Sequence, residues 1–161
     1  MTAEIRECLR VAAIVAVDDW HGKTVPRHME ARIDWLWSVV VDRLGDIRVH
    51  LDEVQPSLTS GALAERLQLR NSRALGELLS LRALPSYDRL RDLYYVVVIT
   101  ERFSAIQTVS KFASCHGARP ADYYRLVERA TGCRWSEVKR NGLIWTKAFA
   151  LTHWGRWILS K

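Results

Sequence analysis

What most constrains this chain is a pattern that occurs twice. The segment Ser110-Lys111-Phe112-Ala113-Ser114-Cys115-His116-Gly117 sets a small residue, Ala113, inside a short helical stretch and closes on glycine. Ala118-Arg119-Pro120-Ala121-Asp122-Tyr123-Tyr124-Arg125-Leu126-Val127-Glu128-Arg129-Ala130-Thr131-Gly132 follows at once, amphipathic, rich in arginine and ended by a second glycine. A short helix, a glycine turn and an amphipathic second helix predict a helix-turn-helix, a unit that usually lays its second helix in the major groove of DNA.

A weaker copy lies upstream. Leu63-Ala64-Glu65-Arg66-Leu67 again holds a small residue in an apolar helix, and Gln68-Leu69-Arg70-Asn71-Ser72 supplies turn and helix-start chemistry. Ala74, Leu75, Leu78 and Leu79 follow at helical spacing. The interval from Ala64 to Ala113 has room for a recognition helix, a long connecting helix and the first helix of the next unit.

Around this core the expected fold is all-α: two helix-turn-helix units joined by a long helix, with additional N-terminal helices and a C-terminal helical tail. Residues 3–17 fit an amphipathic helix through Ile5, Cys8, Leu9, Ala12 and Ala13, although the β-branched residues near Val15 also suit a strand. The tract Val15-Ala16-Val17-Asp18-Asp19 resembles the acidic pocket of a receiver domain, but too few residues follow to build that α/β fold. Ile33, Leu36, Trp37, Val40, Leu44, Ile47 and Leu51 predict one long helix or two hinged near Gly45. Trp35 and Trp37 cannot share the centre of one helix face. Gln55 to Gly61 reads as a linker, with Thr59 or Ser60 as N-cap of the next helix. Ser86 is placed to cap a helix from Tyr87 to Phe103 with an apolar stripe of Leu90, Leu93, Tyr94, Val97 and Val98, leaving Arg89, Arg91, Asp92 and Arg102 outside it. Trp135 to Arg140 predicts a short helix ended by Asn141-Gly142, and the tail with Trp145, Phe149, Trp154, Trp157 and Ile158 is too apolar to hang free. The division that follows is 1–57, an N-terminal helical region; 58–142, the duplicated unit; and 143–161, an aromatic tail.

Charge is uneven along the chain. Residues 1–57 balance at −3, residues 58–142 at +6 and residues 143–161 at +3. The basic excess coincides with the duplicated pattern and favours a polyanion partner, since neutralising phosphates releases counterions. The longest apolar runs, Val11 to Val17 and Tyr94 to Ile99, fall far short of the roughly 20 residues a membrane span needs. Met1-Thr2-Ala3-Glu4 lacks the basic start of a secretory signal, and Cys8, Cys115 and Cys133 are odd in number and scattered. Both point to a reducing, cytoplasmic setting. No phosphate-binding glycine loop, paired metal-ligand motif or activated nucleophile marks an enzyme, and no cofactor is expected.

Residues 58–142 resemble the DNA-binding domain of AraC-type transcription regulators, in which two helix-turn-helix units are joined by a long helix. The likeness is carried by Gly117, Tyr123, Arg125, Thr131-Gly132, Ser136-Glu137 and Arg140, and in the first unit by Leu63-Ala64-Glu65 and Leu69. The chain departs from the family pattern with Ala118 after the turn glycine, an interval from Gly117 to Gly132 one residue short, and Trp135 at a usual proline position. Gly76 and Glu77 weaken the first recognition helix. Residues 1–57 read as mostly helical and are not expected to form the sugar-binding cupin domain of that family.

The resemblance implies a bacterial, nucleoid-associated regulator that binds double-stranded DNA. In its second unit, Arg119, Asp122, Tyr123 and Arg129 are expected on or beside the exposed side, with Tyr124, Val127 and Leu126 inward, and Arg125 on DNA backbone or bracing the fold. In the first unit Arg70, Asn71, Ser72 and Arg73 begin the recognition helix, where Asn71 or Ser72 also suits an N-cap. Lys111, Lys139 and Arg140 are candidate phosphate contacts. The acidic N-terminal helices leave dimerisation, docking of RNA polymerase or another protein, and simple completion of the core open. The rival reading is a protein-interaction or dimerisation module that keeps the helix-turn-helix fold without sequence-specific DNA binding.

Overall fold

The computed structural model describes residue 3 and residues 27–53, 58–82, 84–102, 109–115 and 119–159. The described residues are helical, with no strand among them: α1 Arg27–Asp42, α2 Asp46–Glu53, α3 Ser60–Arg66, α4 Ser72–Leu81, α5 Tyr87–Arg102, α6 Val109–Cys115, α7 Pro120–Thr131 and α8 Trp135–Leu159. The helix expected over residues 3–17 falls outside the described residues apart from Ala3, as does the turn at His116 to Ala118.

Local chemistry sets most boundaries. The expected hinge is present: Gly45 lies at φ +53, a conformation that suits glycine, and α1 turns there into α2. Thr59 caps α3, its hydroxyl accepting the Ala62 N–H at 3.2 Å. The α3 end is a paired 6→1 and 5→2 turn, with Leu69 N–H donating to the Ala64 carbonyl and Gln68 N–H to that of Glu65. Gln68 occupies the left-handed position of that turn, at φ +57. Asn71 then caps α4 through a 3.0 Å bond from Ala74 N–H. Gly132, at φ +73, ends α7. α8 opens with a capping contact from Arg134 N–H to Glu137.

α5 is the centre of the molecule. It packs against α8, α7 and α4, and α8 also packs against α1; α3 pairs with α4 and α6 with α7. Leu90, Leu93, Val96, Val97 and Ile99 are buried along α5, continuous with Leu36, Val40 and Leu44 from α1 and its turn, Leu63 and Leu75 from the first pair, and Leu126 and Val127 from α7. Neighbours on several sides bury α5 more completely than one stripe would suggest. Asp92 is therefore only 5% exposed, not the solvated charge its place beside the stripe implies.

The helix from Trp135 does break at Gly142, whose φ of 88° and ψ of 177° are open essentially to glycine. The tail then resumes as helix. Trp145, Ala148, Leu151 and Trp154 are buried in it, which gives the tail's apolar composition its place. Trp37 is buried and Trp35 is 47% exposed, so the two tryptophans divide as helix geometry requires.

Candidate nucleic-acid interface

Each helix pair presents one outer face. On the first, Ala64 and Leu75 are buried and Leu67 and Leu78 half-buried, which leaves Arg70, Asn71, Ser72 and Arg73 exposed where α4 begins. Asn71 spends its side-chain oxygen on the cap. Arg73 meets Glu77 one turn on, at 3.5 Å, with both side chains mostly in solvent. Arg70 and Arg73 thus project beside the positive end of α4, whose amide groups favour anions.

The second pair hides Ala113 on α6 and leaves Lys111 exposed. α7 buries Tyr123, Leu126, Val127 and Ala130, an i, i+3, i+4, i+7 stripe. This corrects the expectation for the adjacent tyrosines: Tyr123 is 2% exposed and faces the core, and Tyr124 is the outward one. A stripe in phase with Leu126 and Ala130 must take residue 123, because residue 124 lies about 100° further round the helix. Burial raises the Tyr123 phenol above its ordinary range.

Arg119, the N-cap of α7, and Arg125 within it turn outward, with side chains 79% and 73% exposed. Asp122 sits between them, 3.4 Å from Arg119 and 3.9 Å from Arg125. Arg129 differs. Its guanidinium grips Asp92 of α5 with both arms, Nε to Oδ2 at 2.7 Å and Nη2 to Oδ1 at 2.9 Å. The bond to Asp92 holds its proton more tightly than an ordinary arginine does. Arg129 thereby braces α7 against α5 through one edge of its guanidinium, while its side chain stays 54% exposed on the side where the sequence places it. Lys139 and Arg140 are exposed on the first segment of α8.

Asp92 and Arg91 were not singled out by the sequence. Arg91 donates to Asp92 at 3.2 Å through Nε and to the Leu58 carbonyl at 3.2 Å through Nη1. Tyr87 donates to the same carbonyl at 2.8 Å. The available signal was an aspartate set directly before the apolar run that begins at Leu93.

Compared with protein-family models, curated proteins and solved structures, the chain gives no significant match. Its chemistry must be read from its own side chains. Among the described residues no group of three His, Cys, Asp or Glu side chains is placed to hold a metal ion. Burial pushes the half-buried Cys133 thiol up, away from a reactive thiolate. No helix among the described residues is long and apolar enough to cross a membrane.

Proposed function

We propose that the chain binds double-stranded DNA sequence-specifically, as a bacterial AraC-like transcription regulator whose α4 and α7 are the reading helices. The observation that carries this reading is the presentation of α7: one face sealed into the core, the opposite face offering Arg119 and Arg125 to solvent. An arginine so placed can bond a guanine edge with two parallel N–H groups, a contact that discriminates by about 1–3 kcal/mol. Arg70 and Arg73 at the start of α4, with Lys111, Lys139 and Arg140, supply phosphate-directed charge. Action in the cytoplasm on nucleoid DNA follows, with α1 and α2 as the surface for RNA polymerase, another protein or a second copy.

Asp122 and Glu77 support a second reading, a protein-docking module on the same scaffold. Carboxylates among the outward arginines repel phosphate. Exposed ion pairs of this kind are worth only about 0–1 kcal/mol, however, so Arg119 or Arg73 can exchange its carboxylate for a guanine or phosphate at small cost. The balance favours DNA.

The test is selection from a random double-stranded DNA pool at near-physiological salt, followed by sequencing. An enriched motif covering two major-groove segments supports the reading, with affinity falling steeply as salt rises. Replacing both Arg119 and Arg125 by alanine should abolish enrichment and leave the melting curve unchanged. Folded protein that retains no DNA would put the docking module in first place.

A further inference from the structure

Asp92 lies where the two helix pairs meet the central helix. Both of its oxygens are occupied: Oδ2 by Arg129 Nε, and Oδ1 by Arg129 Nη2 and Arg91 Nε. Arg129 belongs to α7, one turn beyond Arg125. Arg91 reaches from Asp92 to the carbonyl of Leu58, the residue before the Thr59 cap of α3. An unbroken polar chain thus runs from the start of the first pair, through α5, to the second helix of the other pair.

Its geometry restrains more than distance. A two-armed guanidinium–carboxylate contact fixes the relative orientation of its partners as well as their separation. The Asp92 side chain is 7% exposed and that of Arg91 13%, so water has little access to the carboxylate, whereas the Arg129 side chain that closes over it is 54% exposed and reaches solvent on its other edge. Apolar packing alone leaves a scatter of roughly 15–20° in how two helices cross; the fork, with the Arg89 bond to the Ala130 carbonyl at 3.4 Å beside it, narrows that range for α7 on α5. The fork bears on the rotation of α7, and so on the face from which Arg125, one turn before Arg129, projects.

We infer that Asp92 is a positioning residue, and that through Arg91 and Arg129 it fixes the spacing and rotation at which the two helix pairs engage DNA. This role rests on the DNA-binding reading above. One base pair inserted between two half-sites separates them by about 3.4 Å and turns one against the other by roughly 35°. A rigidly coupled protein cannot follow that change. One whose second pair can roll tolerates it better.

The experiment uses the full chain and the DNA motif enriched from the random pool, with and without one base pair inserted between its halves. Arg129→Gln removes the fork and leaves Arg91 paired to Asp92; Arg129→Lys keeps the charge without the fork and serves if the first variant does not fold. Val97→Ala, which loosens the α5 core without touching the polar chain, is the control. Wild type should lose on the order of tenfold in affinity on insertion, and Val97→Ala the same. Folded Arg129→Gln should lose about threefold or less, with Arg129→Lys between the two.

Equal insertion penalties in wild type and a folded Arg129 variant would overturn the positioning role and leave DNA binding standing. So would a motif read by a single half. A Val97→Ala protein as tolerant as the Arg129 variant would overturn it too, by showing that any loosening suffices. Wild type that enriches no motif would overturn the DNA reading itself, and the spacing role with it.

Discussion

Trp37 of α1 meets Trp154 of α8 edge to face, with ring centroids 6.2 Å apart and planes at 86°. The contact closes the N-terminal helix onto the tail, and Lys147 bonded to Asp34 at 2.7 Å crosses the same junction. Trp154 is fully buried. Trp154→Ala should therefore cost about 3–5 kcal/mol, through lost transfer energy and the cavity left behind. Urea unfolding followed by far-ultraviolet circular dichroism measures it. A loss below about 1 kcal/mol would mean that the tail contributes little to the core.

Asn71 permits a separation of stability from recognition. Asn71→Ala should cost about 1 kcal/mol, because the Ala74 N–H loses its acceptor. Asn71→Asp keeps the cap and adds a negative charge at the favourable end of α4. Its melting temperature should match or exceed that of wild type, whereas DNA affinity should fall by several-fold through repulsion of phosphate. Unchanged affinity for Asn71→Asp would remove the start of α4 from the interface.

Two glycines should respond in opposite directions. Gly142 has a conformation that side-chain-bearing residues avoid, so Gly142→Ala should cost on the order of 1–3 kcal/mol although no atom crowds the added methyl. Gly76 lies inside α4 with open space where its Cβ would be. Gly76→Ala should stabilise by about 0.5–1 kcal/mol, by restricting the unfolded chain. Thermal melts of the two variants give the comparison directly.

High pH should unfold the protein through three phenols of α5. Tyr87 donates to the Leu58 carbonyl, Tyr95 to the Leu51 carbonyl and Tyr94 to the Asp52 carboxylate. Burial pushes Tyr87 up to about 12, and pushes Tyr94 and Tyr95 further in the same direction. The folded values exceed the unfolded value of about 10, so the stabilisation is whole below about pH 10 and drains as pH climbs through the folded values. Urea midpoints should fall between about pH 9 and pH 11.5, and the fall should be shallower in Tyr87→Phe. Equal slopes in the two proteins would show that Tyr87 ionises as freely folded as unfolded.

Where structure follows from neighbours in sequence, the chain is readable. Thr59, Asn71, Gly45, Gly132 and the break at Gly142 act within a few residues, and each lies where turn and capping chemistry places it. The inversion of Tyr123 and Tyr124 was avoidable, because the spacing of Leu126, Val127 and Ala130 selects residue 123. The brace was not. Arg129 and Asp92 are 37 residues apart, and no periodicity reports which exposed-looking arginine will find a buried carboxylate. The burial of Asp92 depends on α7 and α8 both lying against α5, a tertiary outcome. The arginines at 119 and 125 were proposed from the family resemblance, whereas the contacts of Arg119 and Arg125 with Asp122, and of Arg73 with Glu77, required geometry.

The fully occupied carboxylate of Asp92 also shapes how this protein can change over generations. Replacing Arg129 or Arg91 alone leaves the buried Asp92 carboxylate short of a partner, so single steps away from the arrangement through either cation pass through a weakened ancestor. An apolar substitute for the trio could be as stable, but it lies several simultaneous mutations away. Descendants of this chain should therefore inherit residues 91, 92 and 129 together or lose them together, even while the outward arginines drift to suit new targets.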